Sequence, residues 1–129
     1  MNTKKAAIAI LLSMIWISLS EFVRNEFLLK SFWVNHYTGM GIVFPSEPLN
    51  GVVWGVWALC FSIINYIVLR RFSFNQTIAL SWIIGFVLMW LVIGNLGVLP
   101  MSILVYAIPL SILEVYVSVL IIYKIDKSI

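Results

Sequence analysis

The sequence predicts an all-α, polytopic membrane protein that folds as a bundle of four transmembrane helices. Of its 129 residues, 63% are hydrophobic and 10% are charged, whereas a soluble domain is nearer half apolar and a quarter charged. In lipid, a backbone satisfies its hydrogen bonds only within helices or a closed barrel. The apolar runs are long and do not alternate, which favours helices. The length suits one domain, so we expect a single membrane domain over 1–129.

The first helix is predicted over about 6–29, and a polar stretch interrupts it near its end. At 1.5 Å per residue it reaches about 34 Å, enough to cross a bilayer. Glu21, Arg24 and Asn25 then lie in its outer third. The basic start followed by an apolar run also fits a signal peptide cleaved after residue 20. Trp16 and the absence of alanine at the cleavage site argue against that alternative.

Residues 30–51 are predicted to form a long outer loop between the first two helices. Turn-forming residues recur through it, namely Gly39, Gly41, Pro45, Pro48 and the pair Asn50-Gly51. The segment is also rich in aromatic residues, which favour the headgroup region of a membrane. We therefore expect this loop to lie against the membrane surface, with Trp33, His36 and Tyr37 as candidate contact residues.

Three further helices are predicted over about 52–69, 77–98 and 101–123. Arg70 and Arg71 end the second helix, while Asn95 and Pro100 close the third with a tight turn. Pro109 lies in the first half of the fourth helix. Each span holds about the twenty apolar residues that a bilayer requires.

The basic residues predict the orientation of the bundle. Six of them fall on one side of a four-span arrangement, whereas Arg24 and Lys30 fall towards the other. The six are Lys4, Lys5, Arg70, Arg71, Lys124 and Lys127. The side richer in Lys and Arg faces the cytoplasm. We therefore expect both termini to be cytoplasmic in a bacterial inner membrane, with the 30–51 loop outside.

Small and polar residues fall on one face of each predicted helix, and in the second and fourth they recur at steps of three and four. The clearest stripes are Ala9, Ser13, Ser20 and Arg24 in the first helix; Gly51, Gly55, Ala58, Ser62 and Asn65 in the second; Ser81, Gly85 and Asn95 in the third; and Ala107, Ser111, Glu114 and Ser118 in the fourth. Helices in lipid associate through small residues and interhelical hydrogen bonds. The stripes therefore predict packing seams, and the alternative is that they line a polar cavity.

Glu114 is the most costly of the buried polar residues. It lies about 13 residues into the fourth span, about 20 Å from the outer end. An ionised carboxylate there requires a partner, and without one we expect it to be protonated. Ser62 and Asn65 are its predicted neighbours on the second helix, and no second carboxylate is expected at its depth. An ionisable group inside a membrane is by default a functional candidate; the alternative is a hydrogen-bonded packing residue.

Glu21, Arg24, Asn25 and Asn95 complete the predicted intramembrane polar cluster. Glu21 and Arg24 are three residues apart on a helix and can pair. Asn95 is expected at a similar depth on the third helix. The pair is either part of a functional site or an internal ion pair that fixes the register of the helix and holds the 30–51 loop.

Motifs of familiar catalytic and metal-binding sites are not found. The sequence has no Ser-His-Asp arrangement, no HExxH motif and no Walker loop. Its one cysteine, Cys60, excludes an internal disulfide and a Cys-rich metal site. His36 is the one histidine and cannot by itself make a metal site. We therefore expect no catalytic residue, no cofactor and no metal ligand. The basic residues lie at segment ends, so the net charge of +3 reports topology, and no nucleic acid is an expected partner.

Two resemblances bear on function. The size and the glutamate in the first span are similar to those of small multidrug transporters with four helices. Arg24 beside Glu21 and the long first loop depart from that pattern. The segments Glu21–Glu26, Phe44–Gly51 and Gly94–Pro100 resemble those of uncharacterised small bacterial membrane proteins with four spans. That resemblance covers most of the chain and implies the fold, but brings no activity.

Three classes of function remain open at this point. The one favoured by the small-residue stripes is a non-catalytic membrane protein that packs with itself or with a larger membrane complex. The second is a small oligomeric transporter, or proton-coupled carrier, that uses Glu114 and the Glu21/Arg24 pair. The third is a lipid-acting enzyme at the outer face, using His36, Glu21 and Arg24.

Overall fold

The computed structural model describes residues 2–126, and within that range the chain is helical with no β-strand. Four helices are long and apolar enough to span a membrane: α1 (Thr3–Leu28), α3 (Pro48–Leu69), α4 (Phe74–Asn95) and α5 (Met101–Ile125). A shorter helix, α2, covers Lys30–Gly39. The predicted four-helix membrane bundle is confirmed.

Helix ends differ from the predicted bounds because side chains cap them. α4 begins at Phe74 and not near 77, since Ser73 and Gln76 form a capping box. The Gln76 amide donates to Ser73 Oγ at 3.2 Å and the Ser73 amide to Gln76 Oε1 at 3.0 Å. α3 begins at Pro48 and not near 52, because proline suits the first turn of a helix and Asn50 Oδ1 accepts from the Glu47 amide.

The segment predicted as an outer loop over 30–51 contains α2, so only residues 40–47 connect it to α3 without regular structure. Its glycines mark the end of α2 and not a loop throughout; Gly41 has φ +77. Packing explains the helix. Leu29 is buried with Leu99, Ile103 and Ala107, and Phe32 and Trp33 of α2 lie against this small core. The sequence of residues 30–39 does not by itself indicate this helix.

The four spanning helices form an antiparallel bundle in which α1 and α4 occupy opposite corners. α1 packs against α3 and α5, and α4 packs against the same two helices. Lys4, Lys5, Arg70, Arg71 and Lys124 lie at one end of this bundle, called here the basic end. The opposite end, called the loop end, carries residues 29–47 and the turn at 96–100.

The helices pack tightly at the basic end and separate towards the loop end. All the buried residues of α3 lie between Ala58 and Leu69. The loop-end segment of α4, Leu88–Asn95, contains no buried residue. Hydrogen bonds reinforce the tight end, where Ser62 Oγ donates to the Ile10 carbonyl at 2.7 Å. The bundle therefore has one closed end and one open end.

Two π-helical turns lie where the helices separate. Val23–Leu28 forms one at the end of α1, and Ile83–Val87 forms the other in the middle of α4. In the first, the Leu29 amide donates to the Arg24 carbonyl, five residues earlier, at 2.8 Å. Such turns are rare in proteins and often mark functional sites. Here they flank the cluster of charged residues.

Candidate functional site: a charged cluster beneath an open cavity

Three ionisable side chains from two helices meet in the middle of the bundle. Glu21 and Arg24 of α1 are each 6% exposed, and Glu114 of α5 is fully buried. Arg24 Nη2 lies 2.5 Å from Glu21 Oε1, and Arg24 Nη1 lies 3.6 Å from Glu114 Oε1. Asn25 Nδ2 donates to the second oxygen of Glu21 at 3.0 Å. We call Glu21, Arg24 and Glu114 the charged cluster.

The charged cluster is unevenly satisfied. Glu21 accepts hydrogen bonds at both of its oxygens. Within residues 2–126, neither carboxyl oxygen of Glu114 has a hydrogen-bond partner, nor does Arg24 Nη1. A buried polar atom without a partner is costly, and such atoms in native proteins commonly mark functional positions or water. One guanidinium therefore faces two carboxyl groups, and it bonds fully to only one.

An aromatic layer lies directly beside the guanidinium of Arg24. The Arg24 Cζ lies 5.1 Å from the centre of the Phe86 ring, a cation–π distance. Phe86 meets Phe61 edge to face at 5.9 Å, and Phe61 stacks on Trp57 at 5.0 Å. Phe61 and Phe86 belong to the buried core of the closed end, so the aromatic layer connects the charged cluster to that core.

A cavity of about 750 Å³ extends from the charged cluster towards the loop end. Its wall is formed by α1, α2, α3, α4 and α5 together with the segment around Phe44. The charged and amide side chains that line it are Glu21, Arg24, Asn25, Glu26, Lys30, Glu47 and Asn50. Lys30 Nζ lies 2.8 Å from Glu26 Oε2 as a second ion pair. We call this space the loop-end cavity; its size is within the range of ligand sites.

The structure separates the three predicted contact residues of the outer segment. Trp33 and Tyr37 line the loop-end cavity and pack against Phe44, with ring centres 5.7 Å and 5.0 Å from it. His36 Nε2 instead lies 2.7 Å from the Gly97 carbonyl, so it ties α2 to the turn between α4 and α5. Trp33 Nε1 is buried without a hydrogen-bond partner in the described range.

Two of the predicted cluster residues lie elsewhere. Asn65 is fully buried but donates to Ser118 Oγ at 2.9 Å, so it serves the closed end and is not a partner of Glu114. Ser118 Oγ also lies 2.5 Å from Ser13 Oγ. Asn95 is exposed at the end of α4, and its side chain forms no hydrogen bond with any residue of 2–126. The splaying of α4 carries it away from α1.

The sequence also missed the partner of Glu114 and the aromatic layer. Arg24 crosses to Glu114, and Glu21 reaches the same guanidinium, so a second carboxyl group does lie near Glu114. Side-chain length explains this, because arginine spans a difference in depth that a count of helical rise ignores. The spacing of Trp57 with Phe61 and of Phe86 with Trp90 is four residues in each case. That repeated spacing on two helices is a signal that could have predicted the layer.

Neither a protein-family model, nor a curated protein, nor a solved structure matches this chain. Function is therefore inferred from the charged cluster and the loop-end cavity.

Proposed function

We propose that this protein is a small, proton-coupled membrane carrier that binds its ligand in the loop-end cavity. The observation that carries the proposal is the placement of Glu114. This carboxyl group is fully buried, has no hydrogen-bond partner among residues 2–126, and lies 3.6 Å from Arg24 Nη1 beside a cavity of about 750 Å³. A buried carboxyl group that shares one guanidinium with a second carboxyl group can exchange a proton as the charge around it changes.

The uneven packing supports a carrier for a second reason. A carrier needs a site that opens to one side at a time, and the loop-end cavity is open at one end and closed at the other. The closed end is held by small side chains and hydroxyl groups, among them Ala9, Ser13, Ala58, Ser62 and Ser118.

We also propose that the protein lies in the inner membrane of a bacterium, with its basic end in the cytoplasm. Lys4, Lys5, Arg70, Arg71 and Lys124 share that end, while Arg24 and Lys30 at the loop end are each in an ion pair. Positive residues accumulate on the cytoplasmic side of membrane proteins. The loop-end cavity then faces the outside.

Cysteine accessibility from the two sides tests the carrier. In a Cys60→Ser background, Ser62→Cys lies in the closed end and Ser18→Cys lines the loop-end cavity. A membrane-impermeant maleimide is added to one side of sealed vesicles at a time. We expect rapid labelling of Ser18→Cys from the loop-end side and slower labelling of Ser62→Cys from the basic-end side. Ser73→Cys, exposed in the turn before α4, is the positive control for that side.

The result that contradicts the carrier is a Ser62→Cys variant that stays unlabelled from both sides while Ser73→Cys reacts. A bundle that never opens at its basic end cannot move a ligand. That outcome favours the second candidate, a non-catalytic protein that packs with itself or with a larger membrane complex. One observation supports this candidate: the loop-end part of α4, Leu88–Asn95, buries no residue within one chain.

The third class, a lipid-acting enzyme at the outer face, receives less support from the geometry. It requires His36 to work with Glu21 and Arg24. His36 bonds to the turn at Gly97 and is not part of the wall of the loop-end cavity. The two parts of the suggested site are therefore separate.

A further inference from the structure

Four of the five charged residues that line the loop-end cavity pair with one another, and the fifth, Glu47, is exposed in the segment before α3. Arg24 Nη2 lies 2.5 Å from Glu21 Oε1, and Lys30 Nζ lies 2.8 Å from Glu26 Oε2. A ligand anion would compete with these carboxylates for the two basic groups, and a ligand cation would compete with the basic groups for the carboxylates. Separating a poorly hydrated ion pair leaves a charge without its partner, which is costly. The two ion pairs therefore favour an uncharged ligand.

The rest of the wall is largely apolar. Five aromatic rings line it, those of Trp33, Tyr37, Phe44, Trp54 and Trp90. Trp33 stacks on Phe44 with the two ring planes 19° apart. Aromatic side chains bury large apolar areas and stack on other flat groups. This surface therefore suits a ligand with a flat, apolar body.

Part of the wall is open towards the lipid. Phe22 of α1 and Val53 and Trp54 of α3 line the cavity, and each of them is about half exposed. Each lies roughly 8–9 Å along its helix from the end at the loop side, at a depth where acyl chains surround a spanning helix. A molecule dissolved among the lipid tails can therefore reach the cavity from the side.

Two buried donors in residues of the wall have no partner. Within residues 2–126, neither Arg24 Nη1 nor Trp33 Nε1 forms a hydrogen bond, and both residues line the cavity. Glu114 Oε1 lies 3.6 Å from Arg24 Nη1, too far to accept a hydrogen bond. A buried donor without an acceptor is costly. A carbonyl oxygen accepts two hydrogen bonds and donates none, so a ligand that carries one would satisfy these donors without adding charge.

We propose that the loop-end cavity binds an uncharged carbonyl compound with a flat aromatic or quinone body, taken up from the bilayer. The body lies among the rings of the wall, and Trp33 Nε1 and Arg24 Nη1 donate to its carbonyl oxygen. Binding leaves both ion pairs intact and requires no particular charge on Glu114, which pairs with Arg24 and does not line the cavity. This inference rests on the proposed function in assigning a ligand to the carrier, but equilibrium binding does not require transport.

Competition between two isosteres tests the assignment. Benzophenone and 1,1-diphenylethylene have nearly the same shape, and the C=O group of the first is a C=CH₂ group in the second. The full-length protein, in nanodiscs of zwitterionic lipid, is irradiated with perdeuterated benzophenone, whose excited carbonyl inserts into nearby C–H bonds. Tandem mass spectrometry measures the adducts at Met89, which lines the cavity, and at Met101, which is exposed on α5 outside the cavity wall. The unlabelled isosteres are the competitors, and their concentrations are expressed per lipid because both dissolve in the bilayer.

We expect saturable labelling at Met89, displaced by benzophenone at a concentration about tenfold lower than by 1,1-diphenylethylene. Two hydrogen bonds of modest net strength supply that factor. Labelling at Met101 comes from the bilayer, and neither competitor displaces it specifically. Two charged relatives of the probe, 4-benzoylbenzoate and (4-benzoylbenzyl)trimethylammonium, will each compete at least about tenfold less well per lipid, because the ion pairs of the wall leave them no free counter-charge.

A matched pair of variants locates the donor. Trp33→Phe keeps an aromatic ring and removes the buried N–H group, whereas Trp54→Phe makes the same change in a ring that is 45% exposed. We expect Trp33→Phe to lower the ratio of the two competitor affinities about threefold, the factor for one hydrogen bond, and Trp54→Phe to leave the ratio unchanged. The ratio compares two ligands of one shape in the same variant, so a general loss of packing cancels.

Three results overturn the assignment. The first is equal displacement by the two isosteres, and the second is a charged relative that competes as well as benzophenone, which would make the cavity an ion site. The third is a ratio that Trp33→Phe does not change, or that Trp54→Phe lowers equally. These failures are distinct from failure of the carrier. Labelling of Ser62→Cys from the basic-end side with no preference for the carbonyl keeps the carrier and removes this ligand class. A preference for the carbonyl with an unlabelled Ser62→Cys keeps the site and removes transport.

Discussion

Gly85 of α4 lies against Phe61 of α3 in a close contact between two spanning helices, and replacing it offers a direct measure of the packing. A methyl group added at Gly85 would lie 2.5 Å from both Cε1 and Cζ of Phe61, closer than carbon atoms approach. The Phe61 ring cannot move away easily, because it is 3% exposed, stacked on Trp57 at 5.0 Å and set against Phe86 at 5.9 Å. We therefore expect Gly85→Ala to strain the aromatic layer.

The magnitude follows from two opposing effects. Overpacking a close core contact costs about 1–3 kcal/mol, while replacing a helical glycine by alanine gains about 1 kcal/mol in helix propensity. Gly94 in the same helix is the matched control. A methyl group there meets its nearest atoms, Leu99 Cδ2 and Met101 Sδ, at 3.7 Å, an ordinary contact. We expect Gly94→Ala to be neutral or stabilising, and Gly85→Ala to be about 1–3 kcal/mol less stable than that control.

Reversible unfolding in mixed micelles of dodecyl sulfate and a mild detergent, followed by tryptophan fluorescence, measures the difference. The double variant Phe61→Leu/Gly85→Ala relieves the contact, so the two changes will show a coupling free energy of about 1 kcal/mol or more. Equal stability of Gly85→Ala and Gly94→Ala would refute the reasoning. So would additive effects in the double variant.

Two further predictions concern the charged cluster and the orientation. Arg24→Ala will lower the free energy of unfolding by about 3–5 kcal/mol, because it leaves buried carboxyl groups without their counter-charge. Arg24→Ala/Glu21→Ala will be less affected when its unfolding is measured in the same mixed micelles. A double variant clearly less stable than the single one would contradict the pairing. In a Cys60-free background, cysteine at Ser46 will be labelled from outside the cell and cysteine at Ser73 will not, whereas the reverse pattern would invert the proposed orientation.

Composition and segment length predicted the four spanning helices because the bilayer itself imposes them. Every backbone group must be satisfied within a helix, so the apolar runs leave little freedom. The basic-end parts of the small-residue stripes predicted the packing, because small side chains let helices approach closely in lipid, whereas Gly51 and Gly55 line the loop-end cavity, as the alternative proposed. Ala9, Ser13, Ala58 and Ser62 are all fully buried in the bundle.

The candidate site was predicted only in part. Adjacency on one helix was sufficient to pair Glu21 with Arg24, which lie 2.5 Å apart. Contacts between helices depend on the rotation and splay of the helices and on the length of side chains. Counting residues along a helix gives the depth of a residue in the membrane and none of these three quantities. Asn95 was therefore assigned to a cluster from which it is absent, and the ion pair of Arg24 with Glu114 was not foreseen. The loop-end cavity depends on the divergence of the helices, for which no residue pattern gives a signal.

The π-helical turn at Val23–Leu28 lets α1 hold one residue more than a regular α-helix without redirecting the chain that follows. A π turn holds one residue more than an α-helix of the same course. Deleting a single residue from it would leave an apolar helix long enough to cross the bilayer, and insertion into the membrane would proceed normally. The wider turn takes up the extra residue, so the chain beyond Leu28 would keep its course, with Trp33 on the cavity wall and His36 at Gly97. Deleting Phe27, which is 70% exposed, would therefore spare the site, whereas deleting one residue from the regular part of α1 would rotate everything after it by about 100° about the helix axis.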